Sequence, residues 1–274
     1  MDLQATFGTD APVIGMVHLD ALPGAPRFDG DRDAIYSAAR RDARRLAGGG
    51  VDAVMVENFA DTPFFADDVP KHTVASMTRA ATEVRRAVDV PVGINVLRND
   101  SEADIAVAQA VGADFVRANV HTGARVTDQG VVEGQAAETM RLRDRLDCDV
   151  KVFADHDVKH SAPLADADYA AESFADGVER GMADAAVVTG FGTGHAVEMD
   201  DLRAAARRRA EFGLDVPLFV GSGVTADTVG DVLAHADGVI VGTALKEEGD
   251  AGRPVSEARV EALVEAAAAA GSGD

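Results

Sequence analysis

The sequence predicts an α/β protein, a single (β/α)8 TIM barrel spanning residues 1–274. Three observations predict it. Eight short β-rich runs alternate with segments of helical spacing. The length, 274 residues, is close to the ~250 usual for such a barrel. The connections are also asymmetric. Those entering strands are brief ("GGGVD", "DVP", "GAD", "GLDVP"), and several leaving them are long ("DALPGAPRFDGD", "FADTPFFADDVPKH", "HTGARVTDQGVVEGQ"). Barrel enzymes place their sites in the loops after the strands, so the long connections mark the working end.

The first run, "PVIGMVHL" (12–19), reaches its end at His18. The second, "AVMVEN" (53–58), turns Glu57 inward by strand alternation, and the third, "VGINVL" (92–97), does the same with Asn95. In the fourth, "FVRANV" (115–120), Val116, Ala118 and Val120 face the helices, leaving Arg117, Asn119 and His121 inward. The fifth, "VKVFAD" (150–155), points Lys151, Phe153 and Asp155 inward. The sixth, "AAVVTG" (185–190), runs into the glycine loop "TGFGTGH" (189–195), a candidate cover for a ligand without the context of a dinucleotide fingerprint. The seventh, "LFVGSG" (218–223), and the eighth, "GVIVGT" (238–243), end in glycine turns, and the last helical segment is "SEARVEALVEAAAA". A weak repeat supports the plan. "GGVDAVMVEN", "VGADFVRANV", "GMADAAVVTG" and "HADGVIVGTA" share a helix end, a small-residue turn with Asp, and a buried strand.

Composition narrows the function. Acidic residues outnumber basic ones 47 to 26, a net charge of -21, and only four basic residues are lysines (Lys71, Lys151, Lys159, Lys246). Such a surface repels nucleic acid and anionic lipid, and it is the hydrated surface a halophile uses. Cys148 is the only cysteine, so no internal disulfide forms and a reducing, cytoplasmic setting is expected. No basic-then-apolar leader begins the sequence, and no apolar run is long enough to span a membrane.

Six of the seven histidines (His18, His72, His121, His156, His160, His195) fall at or just beyond strand ends and are expected to meet at the mouth; His235 lies in a return turn. Charges inside a barrel must pair. The expected network has Glu57 and Asp155 neutralising Arg117 and Lys151, with an upper edge that handles protons. Gly221, Ser222 and Gly223, with Gly242 and Thr243 about 20 residues on, suit a phosphate, because loops seven and eight commonly grip one. Thr225 is expected to cap the following helix. Asn95, Arg117 and Asn119 would add substrate contacts. No HExxH or cysteine set supports zinc, while Mg²⁺ on Asp155 and Asp157, bridging to a substrate phosphate, stays open. A Schiff-base lysine is a further option, for which Lys151 is the best candidate, although it comes early in the fifth strand and so lies deep in the barrel.

Together, "VIGMVHLDALPGAPRF", "GGVDAVMVENFADTPF", "VPVGINVLRND", "FVRANVHTGARVTDQGVVEG", "VKVFADHDVKHSAPL", "VTGFGTGHAV", "VGSGVT" and "VGTALK" resemble the BtpA family over about residues 12 to 246. The resemblance implies a TIM barrel. That family takes its name from a cyanobacterial photosystem I biogenesis factor and includes bacterial relatives encoded beside sugar-utilisation genes. Where it has a "DVHVKH"-like run, this chain has "DHDVKH", which moves the histidine to position 156.

The expectation is therefore an enzyme acting on a small phosphorylated metabolite, a sugar or nucleoside phosphate, by isomerisation, lyase chemistry or glycosidic cleavage. Asp155 or Glu57 would be the base, with His18, His121 or His160 as acid. The alternative is a non-catalytic assembly factor of the photosystem I type, although the halophile composition suggests an archaeon without that photosystem. A homo-oligomer is expected. The charge yields one test. Salt screens self-repulsion, so the melting temperature should rise from dilute buffer to about molar KCl; a flat or falling curve would end the halophile reading.

Overall fold

The structure is a computed structural model that describes residues 1–164, 170–190 and 198–271. Eight parallel strands close into a barrel: β1 (Val13–His18), β2 (Ala53–Glu57), β3 (Val92–Asn95), β4 (Phe115–Ala118), β7 (Lys151–His156), β9 (Ala185–Val188), β10 (Leu218–Val220) and β11 (Gly238–Val241). β11 pairs back onto β1, so no edge of the barrel is open. Helices follow the strands on the outside: α2 (Arg32–Gly48), α3 (Lys71–Arg85), α4 (Ser101–Val111), α5 (Ala136–Arg145), α6 (Ala170–Glu179), α7 (Met199–Glu211), α8 (Val229–Leu233) and α9 (Glu257–Gly271). Aspartates start two of them, Asp31 accepting from Ala34 N–H and Asp100 from Ala103 N–H.

The repeated Asp of the return turns has a mechanical role. Asp52, Asp114, Asp184 and Asp237 each precede a strand, and each holds one residue of the neighbouring strand at two points. Their backbone N–H groups donate to the carbonyls of Val13, Val92, Val152 and Leu218. Their carboxylates accept from the N–H groups of those same four residues at 2.7–2.8 Å. The internal repeat is thus a strand clamp at the N-terminal end of the barrel.

Inside, the lumen has two levels. Phe115 and Phe153 from the paired strands β4 and β7, and Phe219 from β10, pack with centroids 5.0 and 4.8 Å apart. Gly93 and Gly238 make room for them: a Cβ there would lie 2.3 Å from Phe115 and 2.5 Å from Phe219. A short helix unforeseen from the sequence, α1 (Leu3–Phe7), closes the bottom by setting Phe7 edge-on against all three rings. The lumen is therefore apolar below and polar only at its upper rim, not polar along its length as alternation had suggested.

A second feature escaped the sequence reading. The long connection after β4 folds into a hairpin, β5 (Ala124–Thr127) and β6 (Gly130–Glu133), and β8 (Ser161–Pro163) from the connection after β7 joins it as a three-stranded antiparallel sheet. No helix among the described residues is long and apolar enough to cross a membrane.

The strand clamp can be tested at Asp114. Asp114→Ala leaves the N–H of buried Val92 without its acceptor and should cost about 1–3 kcal/mol in denaturant unfolding. Asp114→Asn, which keeps an acceptor oxygen, should cost clearly less. Equal effects from the two substitutions would refute the clamp.

Candidate active site

The upper rim is assembled from adjacent strand ends. Register puts His18 beside Glu57 and Glu57 beside Asn95. Asn95 Nδ2 donates to Glu57 Oε2 at 2.7 Å, and Glu57 Oε1 lies 3.9 Å from His18 Nε2. His18 stacks on Phe59, centroids 4.2 Å apart, while its Nδ1 contacts the Ala251 carbonyl at 3.2 Å. A carbonyl only accepts, so Nδ1 carries the proton and Nε2 is left as an acceptor. Burial, reinforced by the charges of Lys246 and Lys159, pushes the His18 pKa down to about 3. His18 is therefore a neutral imidazole facing a carboxylate. The expected acid at this position is instead a hydrogen-bond acceptor.

Across the lumen, Arg117 donates to both oxygens of Asp155, at 2.8 and 3.0 Å, and Asn119 Nδ2 donates to Oδ2 at 3.1 Å. The Asp155 side chain is fully buried and that of Arg117 is 3% exposed. Burial alone would lower the Arg117 pKa, but the charge and hydrogen bonds of Asp155 outweigh it and raise it. Asp155 thus has both oxygens committed to an ion pair.

Lys159 completes the rim. Its backbone N–H donates to Thr189 Oγ1 at 3.0 Å and its carbonyl accepts from Arg98 Nη2. Burial lowers its pKa, with Arg117 and Arg98 acting in the same direction against Glu57 and Asp155. Burial also lowers that of Arg98. Arg98, Arg117 and Lys159 thus outnumber Glu57 and Asp155, a cationic rim in a chain of net charge -21. Arg98 Nε, Asn95 Oδ1 and Asn119 Oδ1 are buried and without a hydrogen-bond partner.

Two spaces that share His18, Glu57 and Lys159 in their linings open here. A cleft of about 940 Å³ is lined by His18, Glu57, Phe59, Arg98, Lys159 and His160, among others. A niche of about 30 Å³ below it is lined by His18, Glu57, Arg117 and Lys159 together with Gly221, Ser222, Gly223, Gly242 and Thr243. The two glycine turns therefore meet in one place. Close approach calls for glycine at position 221 and leaves little room for a side chain at 242. A Cβ on Gly221 would lie 3.3 Å from Arg117 Nη2 and 2.8 Å from Val187 Cγ1, and one on Gly242 would lie 3.0 Å from His18 Cε1.

Several expectations need correction. Lys151 begins β7 at the opposite end of the barrel and bonds Asp149 at 2.7 Å, so it neither neutralises Asp155 nor reaches the mouth. β4 stops at Ala118, ending the alternation that placed His121 inward; His121 Nε2 instead bonds the Gly181 carbonyl behind the barrel wall. His156 packs edge-on against Phe174 of α6, 5.0 Å between centroids, also outside the lumen. Asp157 pairs with Arg125 and Asp155 with Arg117, so the two carboxylates proposed for Mg²⁺ do not converge. Among the described residues no group of three or more His, Cys, Asp or Glu side chains is arranged for a metal. His72 abuts Gly24, and His235 meets Arg203 at 3.5 Å. Of the six histidines expected at the mouth, only His18 and His160 line the cleft; His195 and most of the glycine loop before it lie outside the described residues. Thr225 does not cap with its side chain; its carbonyl accepts from Thr228 and Val229 N–H, and α8 starts after Thr228. Lys159 and Arg98 were missed because they lie beyond strand ends, where alternation no longer reports direction; the ionisable run "DHDVKH" was the available signal for Lys159.

The comparisons with known proteins agree with this architecture. The sequence model of the BtpA family matches residues 9–269. The chain is 42% identical to the photosystem I biogenesis protein BtpA of Synechocystis over 98% of this chain and 92% of that protein. It is 47% identical to an uncharacterised protein of Thermococcus kodakarensis, covering 93% and 95% of the two chains. Among solved structures, N-(5'-phosphoribosyl)anthranilate isomerase from Pyrococcus furiosus superposes with a TM-score of 0.58 at 13% identity, over 94% of this chain and 99% of that one. A structure described as native KDPGal gives 0.58 at 16% identity, over 96% and 98%. Mycobacterium tuberculosis tryptophan synthase gives 0.60 at 16%, over 97% of each. At these identities the structural likeness shows the barrel fold alone.

The Arg117–Asp155 pair carries a stability prediction. Asp155→Asn leaves a buried guanidinium without its counter-charge and should lower unfolding stability by about 3 kcal/mol. An unchanged urea midpoint would show that Arg117 is neutralised by another group.

Proposed function

The chain belongs to the BtpA family, and we propose that it is an enzyme acting on a small phosphorylated metabolite, a sugar or nucleoside phosphate, at the C-terminal mouth of its barrel. The observation that carries this reading is the meeting of two glycine turns and two cations, Arg117 and Lys159, in one niche that shares part of its lining with a larger cleft. In this reading the phosphate meets backbone N–H groups near Gly223 and Gly242, the N–H of Gly221 being already donated to the Val188 carbonyl at 2.8 Å, and the cations balance its charge. The carbon skeleton extends into the cleft.

Glu57 and neutral His18 face each other 3.9 Å apart, both as acceptors. Two acceptors at that spacing suit a proton donor between them, such as a substrate hydroxyl. Glu57 is the base in this reading. Asp155 holds Arg117 in place, since its oxygens are already committed. Isomerisation, aldol-type cleavage and glycosidic cleavage each need such a proton acceptor beside the reacting carbon. The phosphoribosyl compound named as substrate of the similar isomerase is the kind of ligand implied.

The name of the Synechocystis relative supports a second reading, an assembly or stability factor, and 42% identity over nearly the whole chain favours it. Such a factor has no use for a proton acceptor buried against a cationic niche, which is why the enzymatic reading leads.

Calorimetric titration with inorganic phosphate and with ribose 5-phosphate tests the seat. Gly242→Ala adds a methyl 3.0 Å from His18 Cε1 and should weaken both by about tenfold or more, ~1.4 kcal/mol, with little change in melting. Undiminished affinity in that variant, or no phosphate binding by the parent chain, would remove the proposal.

A further inference from the structure

Only four lysines occur in the chain, and three have plain surroundings. Lys71 is exposed at the start of α3. Lys151 bonds Asp149 at the far end of the barrel. Lys246 is buried and paired with Asp42, its Nζ 3.3 Å from Oδ2. Lys159 differs from all of them. It lines both the niche and the cleft, and no carboxylate among the described residues lies within ion-pair distance of its Nζ.

We propose that Lys159 is the amine nucleophile of this site, forming a protonated imine with the carbonyl carbon of a phosphorylated aldehyde or ketone. The inference rests on the phosphate-site reading above and specifies its substrate class. Its ground is position. A ligand that reaches from the glycine turns and Arg117 into the cleft runs beside the three residues that line both spaces, His18, Glu57 and Lys159, and Lys159 is the one amine among them. The backbone of Lys159 is held on both sides, by Thr189 Oγ1 and by Arg98, so the side chain is delivered from a fixed base. Phosphate charge alone does not explain a lysine here. Arginine supplies 22 of the 26 basic residues (26 less the four lysines) and binds phosphate at least as well, but a guanidinium does not act as a nucleophile.

Chemistry and surroundings agree. Burial and the neighbouring Arg117 and Arg98 favour the free amine, the two devices by which lysines become nucleophilic. The amine lone pair attacks the carbonyl carbon, the N–C bond forms, and the carbonyl π pair moves to oxygen, which takes up a proton. A second proton transfer releases that oxygen as water and leaves the protonated imine. Loss of a proton from the adjacent carbon to Glu57 then gives the enamine, the iminium nitrogen accepting the electron pair. No external oxidant or reductant is needed.

The test uses the whole chain with dihydroxyacetone phosphate and, separately, ribose 5-phosphate, each with sodium cyanoborohydride at neutral pH, followed by peptide mass mapping. The reductant converts an imine to a stable secondary amine. One adduct per chain is expected, on the peptide carrying Lys159, forming clearly faster than at any other lysine. Inorganic phosphate should slow it. Lys159→Arg, which keeps a positive charge at the niche, should abolish it. Labelling spread over Lys71 and Lys151, or undiminished in Lys159→Arg, overturns the proposal. So does the absence of any adduct from either probe while phosphate still binds, an outcome that leaves the phosphate seat standing. If phosphate itself does not bind, both readings fall together.

Discussion

The upper half of the barrel depends on the ion pair between Arg117 and Asp155. Two fully desolvated charges are tolerated only because the guanidinium meets the carboxylate through two hydrogen bonds, with a third from Asn119. The pair fixes the position of Arg117, and Arg117 in turn shapes what surrounds it. A Cβ on residue 221 would lie 2.8 Å from Val187 Cγ1 and 3.3 Å from Arg117 Nη2. A glycine turn that reads as a phosphate motif is therefore also a packing requirement, set first by Val187 and tightened by this arginine. The two explanations are compatible, since the same absence of a Cβ lets an anion approach the backbone.

Below that pair, three stacked phenylalanines and the Phe7 plug form a dry floor. The boundary between floor and rim falls within single strands: Phe115 is apolar floor and Arg117, two residues on, is polar rim. This abrupt change lowers the local dielectric under the charged groups, which is why His18 stays neutral and Lys159 is pushed toward its free amine. The floor and the unusual protonation states are one effect seen from two sides.

The overall charge and the local charge also oppose each other. A surface of net -21 repels anions at long range, yet the rim gathers three cations against two carboxylates. Screening by salt weakens the surface field within roughly 10 Å at about 0.1 M, while the buried rim is screened much less. The short-range field in the barrel mouth is therefore set by these local groups and not by the net charge of the surface.

Much of this protein was legible in its sequence. Eight apolar runs separated by helical spacing specify the barrel, because strand and helix periods differ and each must bury its own apolar side. Alternation placed Glu57, Asn95 and Arg117 at the mouth, where the backbone is still a strand. The same rule misplaced His121, and it could not reach Lys159 or Arg98, because direction is lost once the strand ends. Lys151 shows the remaining limit: alternation reports which face a side chain takes, but not its height along the barrel axis. The covering sheet of β5, β6 and β8, the joining of two glycine turns into one niche, and the placing of Lys159 beside that niche all depend on segments far apart in sequence. Only closure of the barrel brings them within a few ångströms, and that distance is a property of the packed structure.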